Sequence, residues 1–219
     1  MNTKFSDEVR QRMETIKHKH FANDTIYTYL DENDVQKIED EVAEAFQGVL
    51  KALVINTDDD HNSQDTARRV SKMFVHEIFR GRYYPPPDVT AFPNVKQYDQ
   101  IYMSGPMSIN STCAHHFQPI NGKCYIGIFP GEKVVGLSKF NRMVDWIASR
   151  PQIQEEMTEQ IADMIEKETG AKGVAVIIKA EHFCKHYKDI PIQVSTEAAD
   201  SSIIDTSNKG EMNGSSIYK

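Results

Sequence analysis

Of two short donor pairs, Cys113-Ala114-His115-His116 and His182-Phe183-Cys184, the second ends with Cys184 lying 68 residues beyond His116. If both serve one site, the intervening chain must return to its starting place. Two cysteines and a histidine cluster offer three soft ligands for a zinc ion, with histidines left over beside it. A structural zinc is normally closed by four protein ligands, whereas a catalytic zinc keeps one position for water. That arithmetic points toward an enzyme.

Local geometry divides the labour. In an extended segment neighbouring side chains point to opposite faces and residues two apart share one. His182 and Cys184 are therefore expected to project into the same cavity. His115 and His116 should diverge, so that one binds metal while the other faces a substrate. A Cys-x-x-His turn is a natural two-pronged clip, which favours Cys113 and His116 as ligands, with Cys184 completing three. Zinc lowers the pKa of a water in the fourth place to about 7. A Cys-x-x-His on its own describes a buried thiol beside surface histidines equally well, and the second pair weighs against that. Cys124 alternates with apolar residues and is expected to be a small core side chain.

The rest of the composition narrows the class. At 219 residues the chain can bury a real core, as one large domain or a domain with an attached segment. A formal charge of -7 argues against a nucleic-acid coat, so a polyanion would have to be bound by local clusters of Lys and Arg. No run is long and apolar enough for a transmembrane helix, and MNTKFSDEVRQR lacks the core of a signal peptide. Three unevenly spaced cysteines suit a reducing cytoplasm better than a disulfide framework.

Along the chain, Val35, Ile38, Val42, Ala45, Val49 and Leu53 form one apolar helical stripe. A second helix is expected from near Asp65 to Phe79, with Val70, Met73, Phe74 and Ile78 inward. Tyr83 to Asn94, with four prolines, reads as a loop or extended crossover. Strands are expected at Gln100–Met103, Lys123–Phe129 and Val174–Ile178, with turns at Asn121-Gly122 and Pro130-Gly131. Ser138 is expected to cap a helix over Lys139–Ala148, and another helix to run from Pro151 to near Gly170. The whole predicts an α+β fold: an N-terminal helical segment and crossover over 1–95, an antiparallel body over 96–205, and a loose tail over 206–219.

Basic pairs flank the donor motifs. Lys139 and Arg142 share the first turn of a helix, where free N–H groups already favour phosphate. Arg69 and Lys72 repeat that spacing, and Lys188 lies four residues beyond Cys184. Such pairs in an acidic chain suggest a polyphosphate substrate, although each also suits a solvated helix face. Gln154 and Glu155 sit near a helix start, where an acid favours the dipole; a carboxylate can also accept two parallel hydrogen bonds from guanine. The residues alone leave both uses open.

These segments match a family. Ser111-Thr112-Cys113-Ala114-His115-His116, Val135-Gly136-Leu137-Ser138-Lys139-Phe140-Asn141-Arg142, Arg150-Pro151-Gln152-Ile153-Gln154-Glu155 and Ala180-Glu181-His182-Phe183-Cys184 closely resemble GTP cyclohydrolase I. So does Asp65–Phe79, and the likeness runs collinearly over roughly residues 33 to 190. The resemblance implies a tunnelling fold, an antiparallel sheet backed by helices, assembled into a ring, usually a homodecamer, with active sites at subunit interfaces. It implies conversion of GTP to 7,8-dihydroneopterin triphosphate with loss of formate. Carried over by position, Cys113, His116 and Cys184 would bind zinc, and His115 and His182 would transfer protons. Glu155 with Gln154 would hold guanine. Ser138, Lys139, Arg142, Arg69, Lys72 and Lys188 would meet the rest of the nucleotide, the basic groups at its triphosphate.

Two positions depart from the family pattern. Ala114 stands where a Glu is usual, which removes a charge beside the ligand cluster. Lys188-Asp189 stands for Arg-Gly, keeping one charge but losing the two-pronged phosphate grip. A relative that opens the purine ring to a different product, or a zinc-bearing assembly protein without turnover, are the alternatives. Retention of His115 and His182 favours an enzyme.

Overall fold

The computed structural model describes residues 4–15, 20–185 and 200–205. The chain forms two compact units, Met1–Pro86 with Ser149–Pro151, and Pro87–Ala148 with Gln152–Lys219. No helix among the described residues is long and apolar enough to cross a membrane.

The first unit is helical. It contains α1 (Phe5–Glu14), α2 (Asp34–Ala52), α3 (Thr66–Lys72) and α4 (Arg80–Tyr83). The predicted stripe lies on α2, where Ile38 is buried; toward its C-terminal end Leu50 is buried instead, and Val49 and Leu53 stay exposed. The helix expected over Asp65–Phe79 is interrupted. After α3 the backbone widens into a π-helical turn over Met73–Ile78, with Phe79 N–H donating to Phe74 O. The wider turn shifts the phase of the following side chains. Val75 and Phe79 are buried as a result, and Met73, expected inward, is exposed. At the start of α2, the buried Asp34 carboxylate accepts hydrogen bonds from Arg12, Lys37 and the Asp31 N–H.

The second unit holds the sheets. A two-stranded ribbon pairs β1 (Ala91–Pro93) with β4 (Lys133–Val135). The main sheet runs β5 (Pro151–Gln152), β2 (Tyr102–Cys113), β3 (Pro119–Phe129), β6 (Gly173–His182), β7 (Asp200–Asp205) in spatial order. The strand expected at Gln100–Met103 is the start of β2, which is far longer. Gly105-Pro106 breaks the apolar alternation there, and the pairing shifts register between Ser104 and Met107 before continuing to Cys113. The expected Asn121-Gly122 turn lies inside β3 instead: Gly122 faces Ala180, and any side chain there would collide with the Lys179–Ala180 backbone. The glycine is needed for strand contact, not for a turn.

Two helices supply the other layer. α5 (Leu137–Ala148) contacts β2, and α6 (Gln154–Thr169) contacts β6. Their apolar faces (Phe140, Met143, Val144 and Ile147; Met157, Ile161 and Ile165) close over Ile109, Ile120, Ile126, Ile128, Val176 and Ile178. Ser138 is the second residue of α5, not its cap. Pro151 lies in the edge strand β5, and α6 begins at Gln154. α6 stops at Gly170, whose φ of 60° is the left-handed conformation that suits glycine at a helix end.

Candidate metal centre

Strands β2 and β6 are both antiparallel to β3, so they run parallel to each other and end on the same side of the sheet. On β2 the residues facing the helices are Met107, Ile109, Ser111 and Cys113; on β6 they are Val174, Val176, Ile178, Ala180 and, at the end, His182. The period of two thus delivers a cysteine and a histidine to the finishing edge of one layer. The extended segment expected to carry both His182 and Cys184 stops at His182. A 3-10 turn over Phe183–Lys185 follows and carries Cys184.

Beyond Cys113 the chain reverses through a tight loop. Phe117 N–H donates to Cys113 O, Cys113 N–H to Gln118 O, and Ala114 N–H to the carbonyl of Gln152 on β5. Phe117 holds a positive φ of 53°, uncommon for a bulky residue. This loop sets the two histidines apart, with ring centroids 6.3 Å apart and planes 61° apart. The expected divergence of His115 and His116 follows from the turn.

Cys113, His116 and Cys184 present donor atoms that all lie within 4.8 Å of one another. The Cys113 and Cys184 Sγ atoms are 3.7 Å apart. Two thiolates on one tetrahedral zinc, each at about 2.3 Å, would stand about 3.8 Å apart. The spacing therefore fits a shared metal ion and is far outside disulfide range. Cys113 is buried, Cys184 half-buried and His116 exposed, so the group opens toward solvent on the histidine side. His115 Nδ1 lies 3.7 Å from Cys113 Sγ, within reach of a weak hydrogen bond to sulfur.

The other predicted residues divide by location. His182 is half-buried at the end of β6, with Nε2 2.8 Å from Gln154 Oε1. Gln154 is buried, and Glu155, next on α6, is exposed. On α5, Ser138 and Arg142 are exposed, and the Lys139 ammonium donates to Asp88 O. Arg69 and Lys72 are exposed on α3, in the helical unit, where Arg69 reaches Asp65 at 3.5 Å. Lys188 lies outside the described residues. Gln152 is the support that motif reading missed. Its backbone oxygen holds the donor loop and its fully buried side chain donates to Ile147 O at 2.7 Å. The sequence carries Gln152 inside the matched segment Arg150–Glu155, where motif reading gives it no role.

An α+β layer whose sheet ends in a Cys-His-Cys group, with two more histidines beside it, is the layout of an enzyme with a candidate metal site. The family model described as GTP cyclohydrolase I matches residues 42–213, and the chain belongs to that enzyme family. Its tunnelling fold accommodates the antiparallel sheet and helical layer seen here. The chain is 39% identical over 152 residues to the GTP cyclohydrolase 1 of Aeromonas hydrophila, covering 69% of each chain. It is 33% identical over 190 residues to that of Flavobacterium johnsoniae, covering 86% of this chain and 83% of the other. The corresponding Yersinia enterocolitica protein is 38% identical over 154 residues, 70% of each.

Proposed function

We propose that this protein converts GTP to 7,8-dihydroneopterin triphosphate with release of formate, using a zinc ion held by Cys113, His116 and Cys184. The observation that carries this reading is the 3.7 Å separation of the two thiol sulfurs beside His116, at the strand ends where His182 also arrives. Zinc bound there would supply Lewis acidity and bring the pKa of a water to about 7.

The chain's own residues do the rest. Glu155, with Gln154 beside it, holds the guanine edge, a carboxylate being the acceptor for a ring N–H and an amino group together. Lys139 and Arg142 on α5, with Arg69, Lys72 and Lys188, hold the triphosphate, and Ser138 meets another part of the nucleotide, so that the purine is fixed before chemistry begins. Water adds to carbon 8 of the purine; His115 and His182 move the protons that let the imidazole ring open. A second hydrolysis frees formate, and the released amine closes the pterin ring on the rearranged ribose.

We further propose a homodecamer or similar ring with active sites at subunit interfaces, in the cytoplasm. Exposed apolar side chains at Phe92, Val95, Ile101 and Met103 support assembly, because a monomer gains nothing by leaving them in water. The test is direct. Zinc-loaded protein is incubated with GTP while formate release and the fluorescence of oxidised neopterin are followed. Both signals are expected; unconsumed GTP, or a ring-opened product without formate, would overturn the assignment.

A further inference from the structure

We propose that Gln154 is a positioning residue that orients His182, and that reading the guanine base falls to Glu155 alone. The proposal rests on the role given to His182 above and reassigns only its neighbour. Gln154 is 3% exposed and opens α6 against β6. Its Oε1 lies 2.8 Å from His182 Nε2, and its Nε2 lies 3.4 Å from the carbonyl oxygen of Ile178 on the same strand. The long second contact still decides which way round the amide sits. The reverse orientation would set two carbonyl oxygens against each other at Ile178. With oxygen toward the histidine, Gln154 only accepts, so His182 must donate through Nε2. That hydrogen bond holds Nε2 toward α6 and so helps to orient the ring.

Glu155 cannot share this job. Adjacent helical residues point about 100° apart, and Glu155 is exposed where Gln154 is buried. A glutamine that turned its amide away from the sheet to serve guanine would have to abandon both contacts to β6. The cost would be two hydrogen bonds lost at a buried place.

The test uses the full zinc-loaded chain and two substitutions. Gln154→Met keeps length and removes both polar atoms; Gln154→Glu keeps an acceptor for His182. For Gln154→Met we expect kcat to fall about 10–100-fold, the usual range for losing an outer support, with KM for GTP within about twofold. Gln154→Glu should recover turnover relative to Met. A raised KM at unchanged kcat, or no effect of Gln154→Met on either constant, overturns the proposal. Crystal structures of the wild type and Gln154→Met supply a second readout that needs no activity. The His182 ring should change orientation in the variant, and an unmoved ring overturns the proposal. If the wild type leaves GTP unconsumed, the functional reading fails while the crystallographic comparison still decides the positioning claim.

Discussion

The middle and the end of the sheet's inner face are built from the same three strands and carry the same thiol side chain, yet they do opposite things. In the middle, Met107, Cys124 and Ile178 stand in register across β2, β3 and β6. One step along come Ile109, Gly122 and Ala180, then Ser111, Ile120 and His182, and beyond them Cys113. Polar side chains enter only with the row of Ser111 and His182, at the edge. Cys124 is fully buried among apolar neighbours, and burial alone pushes its thiol up to about 12. Such a thiol neither ionises nor binds metal at neutral pH. Cys113 is also buried but sits where the strand gives way to a loop, with a second sulfur 3.7 Å away and His115 beside it. Company, not burial, makes a cysteine a candidate ligand.

The largest predicted effect breaks one side of this comparison and spares the other. Cys113→Ser and Cys184→Ser should each lower bound zinc, measured by elemental analysis, from about one per chain to near none, with formate release lost. Cys124→Ser should keep its zinc. Its cost is stability, about 1–3 kcal/mol for a hydroxyl placed in an apolar layer, read as a lowered denaturation midpoint. Zinc loss from Cys124→Ser at intact fold would erase the distinction. Next in size is His115→Ala. Removing the contact to Cys113 Sγ should weaken zinc about 10–100-fold in competition with a chelator, besides slowing turnover. Unchanged zinc affinity would assign His115 to the substrate alone.

Much of this contrast was legible in the sequence, for physical reasons that differ by element. Cys124 alternates with isoleucines in a strand, so its core position followed from a period of two. The divergence of His115 and His116 was expected from alternation along an extended segment, whereas a turn over 114–116 supplies it. The grouping of Cys113, His116 and Cys184 came from donor chemistry, which does not depend on where strands end. What escaped was decided by tertiary contact. β2 continues past Gly105-Pro106, which local propensity reads as a stop, because β3 pairs with it on both sides of the register shift. Asn121-Gly122 looks like a turn until the closeness of Ala180 is known. The π-helical turn at Met73–Ile78 moved Val75 inward without any residue that announces it. The amide of Gln154 could not be assigned to base or histidine before its two contacts to β6 were known.

The smallest predicted effect carries the same lesson into the helical unit. Asp34, like Cys124, is buried, and burial disfavours its charged form too. Here hydrogen bonds from the Asp31 N–H, Arg12 and Lys37 outweigh that penalty and hold the carboxyl at about 2, below its ordinary 3.8. A depressed folded-state pKa gives stability that is present above the unfolded value and lost as pH falls through the folded one. The loss should therefore run from about pH 4 down to about pH 2. Asp34→Asn should lower Tm at pH 7 by about 2–4 °C, a modest figure because the Arg12 and Lys37 partners face solvent. Wild-type and variant melting curves should converge as pH falls to about 2. A gap that persists at that pH would mean that Asp34 acts through packing rather than charge. Cys124→Ser, which changes no charge between those pH values, should show a constant offset from wild type across the same range.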